Sequence, residues 1–105
     1  MIDSNDGEDT QVRQIRDVLA RYESDHPNAQ IDVRRQNSVS IRIRIIDPDF
    51  AGLDRVDREP AVWGELKTLP EEVFTNITML LLITPGETGG SLANQEFEDP
   101  IPSRL

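Results

Sequence analysis

Few side chains in this 105-residue chain are of a kind that does chemistry. His26 is the only histidine and cysteine is absent, which removes thiolate nucleophiles and soft metal ligands together. A hydrolytic triad or a zinc site needs a partner of one of those types, and the sequence has none to offer. His26 stands between Asp25 and Pro27 at the expected end of a helix, where a cation meets the helix dipole, so its expected work is capping. Asp47, Asp49, Asp54 and Asp57 gather in one segment and are of the type that hard cations favour. They do not form the D-x-D-x-D-G loop with a distal glutamate, and acids and prolines at such positions serve as turn and cap residues. Gly89-Gly90 follows Pro85 with no lysine downstream, so it is not a phosphate loop. The expectation is a chain with no catalytic residue, no metal site and no cofactor, and therefore not an enzyme.

The arginines are the remaining candidates. Ile31 and Val33 alternate with Asp32 and Arg34, and Val39, Ile41, Ile43 and Ile45 alternate with Ser40, Arg42 and Arg44, a period of two that predicts a hairpin with one buried face. The opposite face then presents Arg34, Arg42 and Arg44 unless another element covers it. These three are candidate contacts to a protein partner or to phosphates. Nucleic acid is the less favoured of the two, because the sequence lacks a Gly-x-x-Gly loop and most of Tyr22, Phe50, Trp63 and Phe74 fall at core positions instead of forming a stacking platform. Charge points the same way. Residues 1–9 and 86–105 together carry −7 of the net −9, which leaves residues 10–85 nearly balanced.

The elements that must position these side chains can be read from periodicity. Thr10 is placed to cap a helix whose Val12, Ile15, Leu19 and Tyr22 recur at helical spacing up to Pro27. A second helix is marked by Val62, Trp63, Leu66 and Leu69, with Asp57 or Glu59 as its cap and Pro60 tolerated in its first turn. Pro70-Glu71-Glu72 begins a further helical turn, and Ile77 to Thr84 reads as a strand apolar on both faces, of the kind that lies centrally or under another layer. The order is α-β-β-α-β, an α+β domain over 10–86 with helices on one face of a three-stranded mixed sheet. Disordered acidic tails are expected at 1–9 and 87–105, the latter carrying Leu92, Phe97, Ile101 and Leu105 as a possible docking peptide. The longest apolar run, Met79 to Ile83, is too short for a bilayer, and Met1 to Asp6 lacks a basic and apolar leader pattern, so a cytoplasmic location is expected.

Asp49-Phe50-Ala51-Gly52, five residues, Arg58, then Val62-Trp63 and Leu66 resembles the signature of the BolA-like family, which shows Phe-x-Gly, five residues, Arg-His, a valine-aromatic pair and a leucine. Leu82-Ile83-Thr84-Pro85-Gly86-Glu87 also resembles the end of that family's last strand, and the likeness spans roughly residues 12–87. It implies a class II KH-like fold and partner contact near Arg58 and Glu59. It also implies an iron-sulfur cluster shared with a monothiol glutaredoxin through the histidine after the arginine and a ligand in the hairpin loop. Here that histidine is Glu59, followed by Pro60, and the loop is Arg35-Gln36-Asn37-Ser38. Such a cluster wants thiolate or imidazole ligands, so cluster sharing is not supported by this sequence.

Overall fold

Residues 9–99 are described by the computed structural model. The first helix, α1, spans Thr10–Asp25 and turns Ile15, Leu19 and Tyr22 inward, as their three- and four-residue spacing requires. Its cap is Asp9, one residue before the expected Thr10: the Asp9 carboxylate accepts from Val12 N–H at 3.1 Å. A carboxylate wins that position because it also takes a 2.6 Å bond from Arg35 Nε, a partner far along the chain. That bond holds the Asp9 carboxyl below its usual value.

Strands β1 (Gln30–Asn37) and β2 (Ser40–Ile46) pair antiparallel across a tight turn, and β3 (Ile77–Ile83) pairs parallel to β2. The order β1-β2-β3 puts β2 in the centre and the apolar β3 at an edge. β2 is buried on both faces from Ser40 to Ile45: Ile41, Ile43 and Ile45 join the main core, while Arg42 and Arg44 point the other way. Between β2 and β3, a single 3-10 turn (Pro48–Phe50) leads through Gly52 into α2 (Arg55–Leu66), and one further turn, α3 (Glu71–Phe74), enters β3.

The start of α2 differs from expectation. Asp54, and neither Asp57 nor Glu59, is the N-cap, and Pro60 lies in the sixth position, beyond the first turn. Pro60 removes the donor for the carbonyl of Val56, four residues earlier. Both residues are exposed, so that carbonyl opens to water, while the buried stripe Arg58, Val62 and Leu66 is undisturbed.

The C-terminal expectation is corrected more substantially. In place of disorder from residue 87, a turn at Pro85–Glu87 is followed by a fourth helix, α4 (Leu92–Glu98), capped by Ser91 Oγ accepting from Asn94 N–H at 3.0 Å. Phe97 of this helix is 0% exposed and packs with Leu81 and Ile83. Helices α1 to α3 therefore cover one face of the mixed sheet and α4 the other, which gives β3 a layer on each side. The expected tail segments 1–8 and 100–105 lie outside the described residues. The α+β class and the α-β-β-α-β order hold, with α4 appended. No helix among the described residues is long and apolar enough to cross a membrane.

Candidate functional site

The sheet face opposite the main core brings Arg34, Arg42 and Arg44 together, as the hairpin register places Arg34 directly across from Arg42 and Asp32 across from Arg44. It leaves only Arg34 partly open. Arg42 donates to the Glu96 carboxylate at 2.8 Å and to the Glu96 carbonyl at 3.2 Å. Arg44, 3% exposed, donates to Asp32, to Asn94 Oδ1 and to the Glu98 carboxylate. Arg34 reaches the carbonyl of Phe97 and the carboxylate of Glu98. The guanidinium carbons of Arg34 and Arg44 each stand 4.7 Å from the centre of the Phe97 ring, so the aromatic ring is held between two cations. The hydrogen bond from Arg44 holds the Glu98 carboxyl below its usual value. The face read from sequence as a candidate contact surface is thus covered by α4, because acids and an aromatic some fifty residues downstream complement it.

Arg58 and Glu59 part company. Arg58 is buried, donating from Nε to the Leu53 carbonyl at 3.0 Å and from Nη1 to the Leu82 carbonyl at 2.9 Å, with a two-point pair to the Glu87 carboxylate at 2.8 and 3.1 Å. It ties the start of α2 to the end of β3. The same pair, with Thr84 N–H, pulls the Glu87 carboxyl down to about 2. Glu59, the neighbour, is exposed. Beside the Arg58 pair lies an open cleft of about 760 Å³ between the start of α2 and the start of α4, lined by Leu53, Arg55, Ile83, Glu87 and Leu92 among others. Leu53, Val56 and Leu92 are three of the four large hydrophobic side chains that are exposed among the described residues; the fourth, Val39, is at the hairpin turn.

His26 meets more than a helix end. Its Nδ1 lies 2.9 Å from Asp49 Oδ2 and 3.2 Å from Asp47 Oδ2, and its ring stacks on Tyr22 with centroids 4.0 Å apart. Asp47 is fully buried and accepts from Tyr22 Oη at 2.7 Å and from Asp49 N–H at 2.9 Å. Burial first, and the Asp47 carboxylate second, push the Tyr22 hydroxyl well above its ordinary range. The grouping of Asp47 with Asp49 was visible in sequence; their meeting with His26 and Tyr22 was not, since it depends on how α1 packs on the rest of the domain. Every polar atom of Asp47 is satisfied by protein, so the cluster reads as a clasp between α1 and the turn after β2.

The signature residues now have physical roles. Phe50 is buried against Tyr22 and under Arg58, Gly52 holds φ 84° where a side chain would be strained, Val62 and Leu66 are fully buried, and Trp63 meets Phe74 edge-on. The α-β-β-α-β order is the one that the resemblance to the BolA-like family implies. What matches is scaffold, and what departs is the ligand position. Glu59 offers a hard carboxylate in place of imidazole, the hairpin loop supplies neither thiolate nor imidazole, and His26 is engaged by Asp47 and Asp49, so the residues present do not fit an iron-sulfur cluster. No protein-family model and no curated protein matches the sequence. Among solved structures, BolA1 from Arabidopsis thaliana is similar, with a TM-score of 0.47 and 19% identity over 73% of this chain and 94% of that one.

Proposed function

We propose that this chain is a small, non-enzymatic, cytoplasmic interaction module of BolA-like architecture that docks a protein partner in the cleft between α2 and α4. The observation that carries this reading is the coincidence of exposed Leu53 and Leu92 on the walls of one cleft, with Val56 in the adjoining turn of α2 and Arg55 at the rim. Apolar side chains clustered around a concave, charge-rimmed site are what a partner's anchor residues need. Arg58 and Glu87 neutralise each other at its floor, so the cleft binds by shape and apolar contact more than by charge. The nucleic-acid alternative has no comparable support, because Arg42 and Arg44 already have carboxylate partners.

The test compares partner capture by the intact chain, by Leu53→Asp and by Val39→Asp. Val39 is 65% exposed but lies at the hairpin turn, outside the cleft, so it controls for loss of a surface hydrophobe as such. A partner retained by the intact chain and by Val39→Asp but lost by Leu53→Asp supports the cleft. Capture unaffected by Leu53→Asp, or lost equally in both variants, removes it.

A further inference from the structure

We propose that the arginine face of the sheet is a binding groove for an acidic, phenylalanine-bearing segment of a protein partner, and that α4 is the chain's own occupant of that groove. The groove adjoins the α2 cleft and shares Ile83 and α4 with it, so the two readings are told apart by their tests, Leu53→Asp for the cleft and Arg44→Ala for the groove.

Recognition in the groove has two parts. Arg34, Arg42 and Arg44 stand on one face of β1 and β2 and meet Glu96 and Glu98, while Phe97 enters between the guanidiniums and rests on Leu81 and Ile83. A Glu-Phe-Glu stretch is thus read by charge on either side and by a cation-flanked apolar seat in the middle. The occupant is built to leave. At seven residues α4 is too short to hold helical form by itself, so its order depends on docking. Its tether passes through Gly89 and Gly90, both exposed, where even an added Cβ would meet nothing within 4 Å. Its fit is also incomplete: Arg42 is 9% exposed, yet its Nε is buried and meets no acceptor among the described residues. A segment of the same chemistry that supplies one more acceptor there competes on better terms than α4 does.

The tether gives α4 an effective concentration on the order of millimolar, so an untethered competitor binds the intact chain only through the fraction of molecules in which α4 has opened. The experiment uses the full chain and a fluorescent peptide of residues 91–99, Ser-Leu-Ala-Asn-Gln-Glu-Phe-Glu-Asp. Phe97→Ala in the chain should raise affinity for the peptide at least ~10-fold over the unaltered chain, because the competing occupant has lost its anchor. Adding Arg44→Ala to that variant should abolish the gain, and a peptide with alanine for phenylalanine should not bind. If Phe97→Ala keeps a cooperative urea transition but binds no tighter, the groove is not a site for such segments. If Phe97→Ala does not fold, Glu96→Gln/Glu98→Gln, which loosens α4 without emptying its seat, replaces it and should bind severalfold more tightly than the unaltered chain. No gain there, or failure of both variants to fold, makes α4 a fixed part of the core and overturns the proposal. A dimer of the unaltered chain that grows with concentration and is dispersed by the peptide would make a second copy, and not a partner, the occupant, and would overturn it too.

Discussion

Replacing Arg58 by alanine should cost about 2–4.5 kcal/mol of stability, and the figure can be assembled from its contacts. The bond to the Leu82 carbonyl is buried, and stranding a buried acceptor costs ~1–3 kcal/mol. The pair with Glu87 has ideal two-point geometry, but the Glu87 side chain is 44% exposed, so it is discounted to ~0.5–1 kcal/mol. The guanidinium over Phe50, 5.7 Å from its centre, adds ~0.5 kcal/mol. The Leu53 carbonyl belongs to an exposed residue, and water replaces its donor at little cost. For a domain of this size the sum lowers the melting temperature by at least ~8 °C. Urea denaturation followed by Trp63 fluorescence measures it directly, with Glu87→Gln expected to reproduce only the exposed-pair part. Arg58→Lys should fall between, since one ammonium cannot reach both the carbonyl and the carboxylate. An Arg58→Ala midpoint within ~0.5 kcal/mol of the unaltered protein at equal slope would refute the view that this residue joins α2 to β3.

Other outcomes follow from the same contacts. The chain's one tyrosine should show its tyrosinate absorbance at a pH above that of an exposed tyrosine, because burial and Asp47 raise Tyr22. The folded state keeps that proton while the unfolded chain releases it near pH ~10, so this contribution is complete below that pH and lost above it. A tyrosinate transition at the exposed value in folded protein would contradict the buried Tyr22–Asp47 bond. Glu87 behaves oppositely: its folded value near 2 lies below the ordinary ~4.3, so its contribution is full above the ordinary value and lost as pH falls toward 2. Urea midpoints at neutral and acid pH should accordingly diverge more for the unaltered chain than for Glu87→Gln. Gly52→Ala should cost ~1–2 kcal/mol by backbone strain alone, since an added Cβ meets nothing within 4 Å, and Gly52→Asn should cost less; equal stability of all three would show that the turn relaxes.

The core was legible because its signals are local. Ile15, Leu19 and Tyr22 advertise α1 by spacing, and Ile41, Ile43 and Ile45 advertise β2 by alternation. The second sheet face was not, for a physical reason. Arg42 and Arg44 on a strand read as an open face when Asp32 is the one nearby acid that answers them, and their other partners Glu96 and Glu98 stand 54 residues away in a segment whose only large buried apolar residue is Phe97. A helix held by ion pairs and one aromatic ring leaves almost no hydrophobic period to find. The His26 clasp escaped likewise, since it joins residues 21 to 23 positions apart. Arg58 was found through the signature, yet its role as a buried tie between helix and strand appeared only with β3 in place.

The parallel pairing of β2 with β3 has a consequence for how the chain reaches this state. β1 and β2 are joined by a tight turn and close on the scale of microseconds, whereas β3 must wait for the segment carrying α2 and α3 to fold back before Ile41 meets Ile77 and Ile46 meets Ile83. In that interval the central strand of the finished sheet is an edge strand, isoleucine at every second position and the backbone groups of its outer edge unpaired, the type of surface that templates aggregation. The charges of Arg42 and Arg44 oppose stacking of one such edge on another, as charged residues flanking apolar strands do elsewhere. Arg42→Val should therefore lower refolding yield as protein concentration rises, and a yield independent of concentration would show that β2 is never exposed. Before they receive α4, these two side chains serve as guards for a strand that has not yet found its second neighbour.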